Sequence, residues 1–190
     1  MQREGKCFAK FSDVPFSGRT SGQITGKLHD GLWQGKVAWF NEKGQLNARY
    51  HFKDGLLDGL VERFEDGGRL RYSQTFRDSV LQGESKLFSS RGEVAGSLQY
   101  ESGTLKARLE FHNNGVVKKQ ASYEEGVLNG LYAVFARNGE EEFSLTFKGG
   151  RAIETTFRSF HRYTDTDWDF LHPIDSEVSL TGGLANGVSK

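Results

Sequence analysis

The chain has 190 residues, and its 25 Lys and Arg balance its 25 Asp and Glu, so it carries no net charge. The length suits one domain, and the balance removes the electrostatic case for a dedicated nucleic-acid or anionic-membrane binder, which needs a basic stripe. A single cysteine, Cys7, excludes an intrachain disulfide, and no apolar run approaches the ~18 residues that span a bilayer.

The first segment, residues 1–26, reads as an N-terminal cap. Met1 to Lys6 leads into no apolar stretch and is not a signal peptide. The expected compartment is therefore the cytoplasm, or the periplasm if a leader preceded this sequence and was removed. Glu4-Gly5-Lys6 lacks the small, apolar character expected before a lipidated cysteine. Cys7 has no adjacent His, which argues against a nucleophile. Phe16-Ser17-Gly18 reads as part of a degenerate repeat unit.

Residues 27–150 repeat every 24 residues. Phe40, Phe64, Phe88, Phe111 and Phe135 are spaced 24, 24, 23 and 24 apart. Phe52, Phe76, Tyr100, Tyr123 and Phe147 keep the same spacings, as do Gly44, Gly68, Gly92, Gly115 and Gly139. A fixed short period marks an array whose units bury their apolar faces against their neighbours. The glycine turns are Asn41-Glu42-Lys43-Gly44, Glu65-Asp66-Gly67-Gly68, Ser89-Ser90-Arg91-Gly92, His112-Asn113-Asn114-Gly115 and Ala136-Arg137-Asn138-Gly139. Each lies between β-prone runs, so each predicts a hairpin with Gly in a left-handed conformation.

The run after each turn alternates. Leu46, Ala48, Tyr50 and Phe52 lie on one side, and Arg49 and His51 on the other. Period two with one apolar side predicts a half-buried antiparallel strand. Links such as Gly55-Leu56-Leu57-Asp58-Gly59 join the hairpins, with Trp33, Leu57, Leu81, Leu105 and Leu128 expected to tuck under the sheet. The fourth link has Ala107 where the others have Gly, and its repeat is one residue short, which predicts a local irregularity. The expected fold is all-β: an elongated, twisted antiparallel meander of about five to six tandem ~24-residue hairpins with aperiodic caps, forming a single domain.

Residues 151–190 lose the period and read as a divergent C-terminal cap. Asp165, Asp167 and Asp169 have the alternate spacing of a calcium loop, but Phe170 and Ser176 occupy the positions that require Gly and Glu. His161 and His172 are too far apart, and too alone, for a zinc site. No Gly-x-Ser-x-Gly elbow or P-loop occurs. No catalytic residue, metal or cofactor is expected. Trp168 among Asp165, Asp167 and Asp169 has the composition of an anchor for a basic surface. Trp39 is expected on the polar side, opposite Phe40, packed on Arg63 or serving as an interface anchor. Arg49, Arg63 and Arg71 complete the candidate partner-binding set. His29, His51 and His112 are expected to be solvated.

The pattern Asp-Gly-x-x-x-Gly, then Phe, then a Gly turn and an aromatic strand resembles the MORN (membrane occupation and recognition nexus) repeat. It is more similar to the bacterial variant, whose units read like Asp54-Gly55-Leu56-Leu57-Asp58-Gly59, and the likeness spans roughly residues 26–150. That variant is common in immunity proteins and antitoxins. The resemblance implies a non-enzymatic binding protein that neutralises a cognate protein toxin or secreted effector, with no nucleic-acid partner. A scaffold or peripheral membrane module is the alternative, against which the neutral charge counts.

Overall fold

The computed structural model describes residues 2–157, so the tail residues Asp165, Asp167, Trp168 and Asp169 lie outside the described residues. Among the described residues every regular element is a β-strand, and all strand pairings are antiparallel. The chain divides into two compact units, one up to Val80 and one from Leu81 onward.

In the first unit, β1 (Gln2–Arg3) and β2 (Lys6–Cys7) form a small separate hairpin. The main sheet comprises β3 (Gly18–Thr20), β4 (Ile24–His29), β5 (Leu32–Phe40), β6 (Leu46–Lys53), β7 (Leu56–Leu57), β8 (Gly59–Phe64) and β9 (Leu70–Arg77). Its order is β3-β4-β5-β6-β8-β9, with β7 also paired to β6. The degenerate N-terminal unit therefore supplies an edge strand. Phe16 accepts a hydrogen bond from the Gly31 amide at 2.9 Å, and the Ser17 hydroxyl accepts one from the Asp30 amide at 2.8 Å. The division between units falls at β10 (Val80–Leu81).

The second unit runs through β11 (Gly83–Phe88), β12 (Val94–Glu101), β13 (Thr104–Phe111), β14 (Val117–Glu124), β15 (Val127–Phe135), β16 (Glu141–Lys148) and β17 (Arg151–Phe157). These strands neighbour one another in chain order.

Two kinds of turn make the reversals. The predicted glycine turns form as expected. At Asn41–Gly44, for example, the Gly44 amide donates to the Asn41 carbonyl at 2.9 Å, and Gly44 has φ +74°. The links, expected as mere connections, are themselves tight hairpins. Asp30-Gly31, Asp54-Gly55, Asp78-Ser79, Ser102-Gly103 and Glu125-Gly126 each place two successive residues at positive φ, the backbone of a type I′ turn. Asp-Gly is the favoured pair for that turn, so the signal is present in the sequence. Successive links are also joined to each other. Gly55 donates to the Trp33 carbonyl at 3.0 Å, and Gly103 to the Leu81 carbonyl at 2.8 Å.

Ser79 replaces the link glycine and adopts φ +64°. Its amide donates to the Leu57 carbonyl at 2.7 Å, and its hydroxyl accepts from the Leu57 amide at 3.0 Å. The extra hydrogen bond offsets the strain of a non-glycine residue at positive φ.

A β-bulge precedes every phenylalanine of the first column. The register slips between Trp39 and Phe40 and between Arg63 and Phe64 in the first unit. In the second it slips between Leu87 and Phe88, Glu110 and Phe111, and Val134 and Phe135. The bulge changes which residues share a side. Trp39 lies opposite Ala48, whereas Phe40 lies opposite Leu46. Leu46 therefore leaves the side held by Ala48, Tyr50 and Phe52, and joins Phe40 on the other.

Each unit buries one face. In the first, Leu28, Val37, Ala48, Tyr50, Phe52, Leu57, Val61 and Phe76 are buried, with Gln74 among them. In the second, Ala121, Tyr123, Leu128, Tyr132, Val134, Phe143 and Phe147 form one cluster, joined by Leu105 and Leu145. Tyr132 stacks near Phe143 and Phe147 at 5.9 and 6.3 Å between centroids. Among the links, Leu57 and Leu128 are buried as expected, while Trp33, Leu81 and Leu105 are half-buried.

The fourth link is irregular, as its missing residue predicts. Between Gln99–Ala107 and Tyr100–Leu105 a single residue, Lys106, is unmatched. In the next link β15 carries two more residues than β14 between Ala121–Tyr132 and Tyr123–Leu128. The bulge before Phe111 is retained, so the deletion is absorbed entirely in the link.

Candidate protein-binding face

The candidate residues separate onto different sides of the first sheet. Trp39 and Arg63 both lie opposite Ala48, on its two neighbouring strands, and the Arg63 guanidinium stands 5.9 Å from the Trp39 ring centroid. The expected Trp39–Arg63 contact forms, but it forms on the apolar side. Placing Trp39 on the polar side is corrected by the bulge, which moves Phe40 there instead. Arg63 also bears on Tyr50. Burial raises that phenol above its ordinary value, and the nearby guanidinium pulls the other way.

Arg49 occupies the polar side. Its Nη1 lies 3.4 Å from Glu62 Oε2, and its guanidinium sits 5.2 Å from the Phe64 ring centroid. Arg71 is the exposed bulge residue of β9. The structure thus links Arg49 with Glu62 and Trp39 with Arg63, but does not gather the set into one patch.

The histidines also depart from expectation. Among the described residues His29 is the only exposed histidine; its Nδ1 lies 3.6 Å from Asp30 Oδ2. His51 Nδ1 donates to the Asp58 carbonyl at 2.6 Å, and His112 Nε2 donates to the Phe135 carbonyl at 2.8 Å. A half-buried imidazole finds a backbone acceptor because an unmade hydrogen bond there is costly. His51 fits because Gly59 has no side chain. A Cβ at Gly59 would stand 3.2 Å from His51 Cβ, Cγ and Nδ1.

The most distinctive feature of the first unit carries no signal in the linear sequence. An open concavity of about 700 Å³ lies on the polar side of β3 to β8, lined by Arg19, Lys27, Lys36, Arg49 and His51. Glu62 is its only lining carboxylate among the described residues. Arg19 lies directly opposite Lys27, and Lys36 directly opposite His51. Arg49 has Glu62, whereas Arg19, Lys27 and Lys36 have no ion-pair partner among the described residues.

The repeat supplies internal controls for these positions. The pair Lys36–His51 corresponds, unit for unit, to Leu60–Thr75, Glu84–Gln99, Ala107–Ser122 and Leu131–Thr146. The architecture therefore does not require cations there. A like-charge pair directly across strands is unfavourable by about 0.2–1 kcal/mol. The row becomes legible only once register places residues far apart in sequence side by side.

Elsewhere the chemistry is sparse. Burial pushes the Cys7 thiol above its ordinary value, which disfavours the thiolate. Among the described residues no group of His, Cys, Asp and Glu could hold a metal, and no helix is long and apolar enough to cross a membrane.

No protein-family model matches the chain, and no curated protein does. Solved structures match weakly. A mutant of S. aureus TarM in complex with fondaparinux, alpha-GlcNAc-glycerol and UDP is 19% identical with a TM-score of 0.37, over 46% of this chain and 18% of that one. A GtfA/B complex is 13% identical with a TM-score of 0.31, over 77% and 25%. A structure of accessory secretory protein 1, 2 and 3 from Streptococcus pneumoniae is 13% identical with a TM-score of 0.22, over 70% and 22%. The chain thus spans a quarter or less of each of these solved chains, and likenesses this slight bear on no property of this protein.

Proposed function

We propose that this protein is a non-enzymatic binding module of the immunity or antitoxin type, built from MORN-like hairpin repeats, that neutralises a cognate toxin or secreted effector. One observation carries the reading. The aromatic column Phe52, Phe76, Tyr100, Tyr123 and Phe147 recurs in every unit and is buried or half-buried, while the pairs on the polar side range from Lys36–His51 through Leu60–Thr75 and Glu84–Gln99 to Ala107–Ser122. A constant core under a variable face is the arrangement expected when a rigid sheet presents side chains to a partner. The MORN-like resemblance points the same way. Co-expression with the product of the adjacent gene tests it. The expected result is a stable complex on size exclusion and rescue of growth; no complex and no rescue would remove the reading.

A second reading, a scaffold or peripheral membrane module, is favoured by one loop. Phe11 is 92% exposed, adopts φ +64°, and lies 5.0 Å from the Lys10 ammonium, with Val14 71% exposed beside it. An exposed aromatic next to a cation suits a bilayer interface. Sedimentation with phosphatidylglycerol vesicles at low salt tests this. Binding that is lost in Phe11→Ser supports the reading, and no binding ends it.

A further inference from the structure

The polar concavity of the first unit gathers more basic than acidic side chains, with Arg19, Lys27, Lys36, Arg49 and His51 against Glu62. Four basic side chains form a stepped row across β3, β4, β5 and β6: Arg19 faces Lys27, Lys27 faces Gln34, and Lys36, two residues along β5 from Gln34, faces His51. Neighbouring strands lie about 4.8 Å apart, so the row extends roughly 15 Å. Three of the four have no ion-pair partner among the described residues, in a chain whose net charge is zero. The repeat offers neutral pairs for the same positions, so the row is an addition to the scaffold. It carries an energetic cost when empty, because Arg19 faces Lys27 directly.

We infer that this concavity is a docking site for an extended acidic segment of a protein partner, whose successive carboxylates lie along the Arg19–Lys27–Lys36–His51 row. Three features select that occupant. The cations are spaced along a line and do not converge on a point, so they suit carboxylates distributed along a chain better than one compact phosphate. Thr20, Thr25 and Gln34 also line the concavity; the Thr20 hydroxyl donates to the Ile24 carbonyl at 2.9 Å and Gln34 Nε2 to Asp54 Oδ1 at 2.8 Å, which leaves their oxygens to accept from the amides of an extended backbone. Tyr50 is buried on the opposite side of the sheet and the His51 ring is tied to the Asp58 carbonyl, so the lining presents no Phe, Tyr or Trp face on which a nucleic-acid base could stack.

The remaining groups position the row. His51 is fixed by its hydrogen bond to the Asp58 carbonyl and by the space that Gly59 leaves. Glu62 holds Arg49 at the far side, leaving the row itself unneutralised. Charge complementarity of this kind accelerates encounter and sets the register of the partner, and it weakens as salt rises.

The inference rests on the reading of the chain as a binding module, and the experiment separates the two. The probe is a fluorescently labelled synthetic peptide of alternating glutamate and threonine, followed by anisotropy with the full chain. The expected result is saturable binding that weakens as ionic strength rises from about 0.05 to about 0.3 M. Affinity should fall about tenfold or more in the double variant K27E/K36E. The control K43E/K53E carries the same charge change on exposed lysines outside the concavity and should stay within about twofold of the unaltered chain. Should K27E/K36E fail to fold, as read by circular dichroism, K27Q/K36Q replaces it, and about a threefold loss is expected.

Equal loss in both double variants would overturn the inference, since the effect would then be bulk charge. So would inorganic phosphate displacing the peptide at equal concentration, or a single-stranded oligonucleotide binding more tightly than the peptide. If the peptide does not bind but an adjacent gene product forms a complex untouched by K27E/K36E, this site fails and the proposed function stands. If the peptide binds as expected but no neighbouring product is bound or neutralised, the proposed function fails and the site stands.

Discussion

The two units use the same columns for different ends. In the second, the buried side holds a ring cluster of Tyr132, Phe143 and Phe147, and the polar-side pairs Ala107–Ser122 and Leu131–Thr146 are uncharged. In the first, the buried side sets Tyr50, Phe52 and Phe76 beside Val37, Ala48 and Val61, and the polar side carries Arg19 facing Lys27. On the proposed reading, stability and recognition fall to different columns of one repeat. A column that sets the fold recurs; a column that faces solvent is free to change, and in the first unit it has changed toward positive charge.

Substitutions at four positions break or sharpen this contrast. Phe143→Ala removes a ring from the second unit's cluster and should cost about 3–5 kcal/mol, read from urea unfolding. A loss under about 1 kcal/mol would mean that this cluster does not anchor its unit. Ser79→Ala keeps the positive φ but loses the acceptor for the Leu57 amide. It should cost about 1–2 kcal/mol, whereas Ser79→Gly should be near neutral because relieved strain offsets the lost bond.

Tyr123→Phe should do the reverse. The Tyr123 hydroxyl is buried without a hydrogen-bond partner. Burial raises this phenol above 10.0, against an opposing pull from Arg108. Its contribution is therefore full below pH 10.0 and is lost as pH rises through the folded-state value. The variant should gain about 1 kcal/mol at neutral pH and show a shallower alkaline decline in its melting temperature. The smallest effect is expected for Lys27→Gln, which relieves the repulsion with Arg19 and should stabilise the chain by about 0.2–1 kcal/mol. A destabilisation there would mean that the row is held for folding and not for binding.

The strands are legible in the sequence because aromatic columns and glycine turns repeat in one register, and alternation places Ala48, Tyr50 and Phe52 together. The bulge before each Phe is not. A bulge inserts one residue with no compositional mark, so alternation alone puts Leu46 and Trp39 on the wrong sides. Asp-Gly at the links carries the type I′ signal plainly, but the stronger pull of the glycine turns obscures it. Of the candidate site, Arg49 is visible as a polar-side cation. Arg19, Lys27 and Lys36 are not, because their proximity arises only across strands, and a balanced total charge conceals a local excess.

The type I′ turns have a kinetic consequence. Each reverses the chain within two residues, and within each unit every long strand lies beside its predecessor and successor in the chain. Contacts are therefore local in sequence, little loop-closure entropy opposes them, and any hairpin can serve as a nucleus from which the next one zips. A sheet assembled that way can lose or gain a whole hairpin, or a single link residue as before Phe111, without rethreading its neighbours.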